Sequence, residues 1–121
     1  ATVSAKAPDQ LRQRVAFALS SIFVVTNNDV AIDLPTEPWA NYYDIFVRNA
    51  FGNFGDVLKE VSFSSMMAIM LTYENSRSMA YSVEENGARL YPDENFAREI
   101  MQLFTIGLWK LHQNGTQVLD A

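Results

Sequence analysis

The chain has 121 residues, 49% of them hydrophobic and 19% charged, with a formal net charge of −5. That composition excludes a disordered segment and is expected to build one packed helical domain over residues 1–121. The absence of cysteine excludes disulfides, thiolate metal sites and cysteine nucleophiles, and without a basic run no nucleic-acid partner is expected.

In chain order, the first helix is predicted over residues 8–25. Pro8 and Asp9 suit a first turn, and Leu11, Val15, Ala18, Leu19 and Ile22 keep the spacing of a buried stripe. The uncharged stretch that includes this stripe contains Ser20, Ser21 and Thr26. It falls short of the roughly 20 apolar residues that a membrane span needs, so no transmembrane segment is expected. A loop follows over 27–35.

Thr36 is placed to cap a second, aromatic-rich helix carrying Trp39, Tyr42, Tyr43, Ile45, Phe46 and Val47. Asp44 and Arg48, four apart, are spaced to pair across one turn of it. Gly52 and Asn53 then read as a tight corner, Gly52 allowing a left-handed exit and Asn53 capping a short helix with Val57, Leu58 and Val61. A fourth helix starts near Ser64 or Ser65 and carries Met66, Met67, Ile69, Met70 and Leu71, methionines that read as core packing. From Tyr73 to Tyr91 no stripe is sustained, which predicts a long loop with at most one helical turn around Ser82 to Asn86.

The best-bounded element covers residues 92–107, opening on Pro92 with Asp93 as its cap and stopping at Gly107. Phe96, Ala97, Ile100, Leu103 and Phe104 share one arc of it, while Asn95, Arg98 and Gln102 lie opposite. Asn114-Gly115 between short apolar runs predicts a hairpin. The fold class expected is thus mainly α, a compact bundle of about five helices with a short C-terminal β-hairpin.

Three blocks resemble one mostly bacterial family, domain of unknown function 1800: Asp9 to Ser20, Tyr42 to Phe54, and Pro92 to Gly107. Their order and separation agree with the family's across nearly the whole chain. The resemblance implies a mostly helical protein of greater length, often exported, with no assigned reaction. On that basis the chain is expected to be an internal piece of a longer protein, extracytoplasmic or secreted. Its expected partners are the rest of that protein or other protein subunits. Family histidines in the first and third blocks align with Phe17 to Ile22 and with Phe104, so this chain departs from the family's histidine pattern.

Candidate chemistry rests on a few side chains. Glu94 and Glu99 are the candidate acid–base residues, because a carboxylate beside apolar neighbours can have a raised pKa. Arg48, Asn49, Asn95 and Arg98 are candidate ligand-binding residues, since a guanidinium fork beside a helix start suits an anion. Against this, Glu94 could pair with Arg98, Glu99 could bond a neighbouring loop, and Arg48 could pair with Asp44. His112 is the single histidine; one imidazole falls short of a metal site, and neither metal nor cofactor is expected. Two readings stay open: a non-catalytic helical scaffold or interaction module, and an uncharacterised enzyme with an acid–base or anion-binding cleft formed by residues 92–107 and the corner from Arg48 to Asn53.

Overall fold

The computed structural model describes residues 8–26 and 36–118, so the loop expected over 27–35 lies outside the described residues. Six helices form among them, in two units, Ala1–Glu74 and Asn75–Ala121.

The first unit holds α1 (Gln10–Ile22), α2 (Thr36–Arg48), α3 (Phe54–Ser62) and α4 (Ser65–Met70). α2 is the hub, packing on each of the other three. Its aromatic load explains why. Phe46 is completely buried, 6.0 Å from the Phe23 ring and 5.2 Å from the Tyr42 ring, which meets it edge-on. Phe54 closes the cluster 5.6 Å from Phe23. Val57, Val61, Met66 and Met67 complete the core from α3 and α4, so the methionines do pack the interior.

Three side chains of this unit satisfy helix-end carbonyls. The Tyr42 hydroxyl donates to the Phe23 carbonyl at 2.8 Å, just where α1 ends, and burial holds its phenol above the ordinary range. Arg12 of α1 donates to the Val47 carbonyl at 2.9 Å in the last turn of α2, with its guanidinium 5.0 Å over the Phe51 ring. Tyr73 does the same for the Ser62 carbonyl at 2.8 Å, its phenol pushed up to about 12 by burial. Asn53 caps α3 through Gly55 N–H, as its position predicts, and Ser64 caps α4 through Met66 N–H.

The buried face of α1 is not the predicted stripe. Leu11 and Ile22 are exposed, and Ala16 and Phe23 are the buried positions. The reason is close approach: small Ala16 lets α2 come near, and Phe23, beyond the last turn, fills the space that remains. Gly52 is not left-handed; among the described non-glycine residues that conformation falls on Thr72, with φ of 61°, and Asn75, with φ of 60°. Thr72 follows α4, its N–H donating to Ile69 O at the position where glycine usually ends a helix.

The second unit holds α5 (Met79–Asn86) and α6 (Asn95–Gln102). α5 lies within the expected loop and extends the turn expected around Ser82 to Asn86 back to Met79: Ser78 caps it through Tyr81 N–H, and Gly87, with φ of 66°, ends it in the left-handed region. α6 is shorter than predicted. It starts at Asn95 and stops at Gln102, after which Phe104 N–H reaches Glu99 O and Gly107 N–H reaches Met101 O. Asp93 still serves its start, accepting from Asn95 N–H at 2.8 Å.

The expected β-hairpin does not form. Among the described residues there is no strand, only an isolated antiparallel bridge between Leu111 and Gln117 around the Asn114-Gly115 turn. Leu111 is exposed, and a two-stranded ribbon without a covered apolar face is marginal, so the turn forms without the strands.

Two substitutions test this account by denaturant unfolding. Tyr42→Phe removes the Tyr42 hydrogen bond to the Phe23 carbonyl inside the core and is expected to destabilise by about 0.5–1.5 kcal/mol. Thr72→Gly relieves about 1–2 kcal/mol of left-handed strain against roughly 0.5–1 kcal/mol of added chain entropy, so its midpoint should rise slightly. A lower midpoint for Thr72→Gly would show that the strain is outweighed by what the Thr72 side chain contributes, including the hydroxyl bond to Leu71 O.

Candidate functional site

The end of α2 places Arg48 beside Asn49, the first residue after the helix, both facing α3. Glu60, two turns into α3, receives both: Arg48 donates to Oε2 at 2.6 Å and Asn49 Nδ2 donates to Oε1 at 2.9 Å. The same amide nitrogen donates its other hydrogen to Ile45 O at 2.9 Å. Asn49 therefore ties a carbonyl near the end of α2 to a carboxylate of α3. Together these donors hold the Glu60 carboxyl below the ordinary carboxylate range, the Asn49 hydrogen bond first, then Arg48's hydrogen bond and charge.

This trio forms part of one wall of an open groove of about 880 Å³, with Tyr42 and Ile45 at its base. Glu37, Asn41, Asp56, Lys59 and Ser65 also line it, and their side chains make no hydrogen bond or ion pair among the described residues. The groove thus offers mixed charge and amide groups over a partly apolar floor. Ser64 is committed as a cap and no histidine lines the groove, so no nucleophile–base pair is set up there.

The remaining candidates lie in the second unit, on and just before α6. Arg98 donates to Asn95 Oδ1 at 2.6 Å and to Glu99 Oε1 at 3.3 Å. Arg98 is thus the centre of a short chain of contacts along one helix. The expected pair of Glu94 with Arg98 does not form, and the Glu94 side chain makes no contact of this kind among the described residues. Nor does Asp44 pair with Arg48, because Glu60 brings a second acceptor oxygen that Asn49 can share. Glu99 is met by Arg98 rather than by a loop.

The structure therefore brings Arg48 to Asn49 in one unit and Asn95 to Arg98 and Glu99 in the other. Sequence reasoning missed Glu60. Its only signal is a carboxylate on the helix after Arg48 and Asn49, and nothing local says which way α3 turns.

Among the described residues no group of three or more His, Cys, Asp or Glu is placed to hold a metal ion, and no helix is long and apolar enough to cross a membrane. The family described as protein of unknown function (DUF1800) matches residues 2–117. The chain belongs to the DUF1800 family. Among curated proteins and solved structures, none matches it. Within this DUF1800 chain the more elaborate set of side-chain contacts is Arg48, Asn49 and Glu60, built from the end of α2 and from α3.

The side chains of Arg48 and Glu60 are 59% and 38% exposed, so water screens the pair and its worth is about 0–1 kcal/mol. The depressed Glu60 pKa fixes the sign of its pH dependence. Its contribution is complete above the unfolded carboxylate value of about 4.3 and is lost as pH falls through the lower folded value. Denaturation measured from neutral to acidic pH should show Glu60→Gln less stable than wild type at neutrality, with the two curves converging in acid. A gap that stays constant with pH would exclude the ionised Glu60 as its source.

Proposed function

We propose that this DUF1800 chain is a non-catalytic helical scaffold or interaction module. Its polar residues brace helices, and its exposed apolar residues meet other protein surfaces, of the same polypeptide or of another subunit. The observation that carries this reading is that five of the six candidate groups, all but Glu94, are held by a protein partner. Arg48 and Asn49 are taken up by Glu60, and Asn95 and Glu99 by Arg98. A side chain already held by a protein partner must lose that partner before it can serve a ligand.

Exposed apolar surface supports the second half of the reading. Phe63 is 84% exposed in the first unit, and in the second Leu103, Ile106, Leu108 and Trp109 are all more than half exposed within seven residues. Large apolar side chains clustered in water mark interaction surfaces more often than they occur by chance.

The sign of a stability change separates this module from an acid–base or anion-binding enzyme. Residues kept for catalysis are commonly held at some cost to the fold, so removing them stabilises; bracing residues do the opposite. Arg48→Ala and Glu99→Gln are therefore each expected to lower the unfolding free energy, by up to about 1 kcal/mol for the exposed Arg48. Phe63→Ser should leave stability within roughly 0.5 kcal/mol, as befits a surface position. Stabilisation by both Arg48→Ala and Glu99→Gln would instead favour the enzyme reading.

A further inference from the structure

The chain contains two Asn-Gly pairs, Asn86-Gly87 and Asn114-Gly115, both exposed and both in the second unit. An asparagine followed by glycine is prone to ring closure, because a residue without a side chain offers least hindrance when its nitrogen attacks the neighbouring carboxamide. The same dipeptide here occupies two different environments.

Asn86 is the last residue of α5, and Gly87 N–H donates to Val83 O at 3.0 Å. Its carboxamide makes no hydrogen bond among the described residues. Closing a five-membered ring would draw Asn86 out of helical ψ and open the last turn of α5. Asn114 sits in the turn, where Gly115 N–H donates to His112 O at 2.9 Å. Both attacking nitrogens are thus held in one backbone hydrogen bond, so that feature does not distinguish them. The carboxamide oxygen does. Asn114 Oδ1 accepts from Thr116 N–H at 3.1 Å and from the Thr116 hydroxyl at 2.7 Å.

We propose that Asn114 is a self-modifying site, converted to aspartate and isoaspartate through a succinimide, with Thr116 stabilising the developing oxyanion. Gly115 N gives its proton to water or hydroxide and forms a bond to Asn114 Cγ, and the C=O electron pair moves onto Oδ1, where two donors already point. The tetrahedral centre collapses as the Cγ–Nδ2 bond breaks, and the amide nitrogen leaves with an added proton as ammonia. Water then opens the ring at either carbonyl, leaving one new carboxylate. The isoaspartate product also lengthens the backbone by one methylene. That extra atom falls inside the turn closed by the bond from His112 N–H to Thr116 O, at 2.8 Å, so modification loosens the bridge as well as adding negative charge.

The test uses the intact chain held at mildly alkaline pH, with peptide mapping by mass spectrometry to locate exchange of NH2 for OH. In the folded protein Asn114 should react several times faster than Asn86, and the difference should vanish in denaturant. Thr116→Val keeps the branched shape but removes the hydroxyl, and should slow Asn114 about three- to tenfold in the folded state only. That is less than the roughly 10²–10³-fold lost when a buried oxyanion donor is removed, because water partly replaces this one. Equal rates at Asn86 and Asn114 in the folded protein overturn the proposal, and an unchanged rate in Thr116→Val overturns the role given to Thr116.

Discussion

Phe46 has no solvent exposure, and its contacts with Phe23 and Tyr42 constrain the exit of α1 and the axis of α2 together. Phe23 closes α1 through its own N–H, and its carbonyl receives the Tyr42 hydroxyl, so one residue links the end of one helix to the middle of another. Phe54 against Phe23 brings the start of α3 to the same place. Truncating a buried phenylalanine typically removes about 3–5 kcal/mol, several times the worth of any exposed ion pair. The aromatic cluster therefore decides where the helices of the first unit lie, and the charged residues adapt to that arrangement.

Arg48 shows how they adapt. Local spacing offers it Asp44 one turn away, but it reaches Glu60 on the facing helix. Asp44 is exposed and keeps its water, whereas Glu60 gains two donors at once from adjacent residues. The energy involved is small on the scale of the core. Its consequence is orientational: with Asn49 also bound to Ile45 O, the end of α2 and the face of α3 are held in one register. The groove beside them owes its shape to that register and its floor to Tyr42 and Ile45.

Individual helix starts were legible where a side chain caps the turn it begins. Asn53 caps α3 as its position predicts and α4 starts beside Ser64, whereas Gly87, read as part of a loop, ends α5. Only the turn around Ser82 to Asn86 was legible of α5, because its only buried residue is Ser82 and no apolar stripe marks it. For α6 the opposite error arises. The apolar arc continues through Leu103 and Phe104, but the backbone leaves the helix at Gln102, and the Thr105 hydroxyl donates to Ile100 O at 2.7 Å near the departure. Periodicity reports which positions could share a face, not where the hydrogen-bond ladder stops. The candidate groups Arg48, Asn49, Asn95, Arg98 and Glu99 were identified by type and spacing, but their partners were not.

What the amino-acid order determined alone was the helical class, the family and the Asn53 cap; the class and the cap depend on residues within a turn or two of one another. Tertiary structure decided the rest: Ala16 and Phe23 as the buried side of α1, Glu60 as the partner of Arg48 and Asn49, and a turn without strands at Asn114-Gly115. These outcomes depend on which distant surfaces compete for the same side chain. That competition is settled by packing volume and donor count, neither of which is written in local spacing.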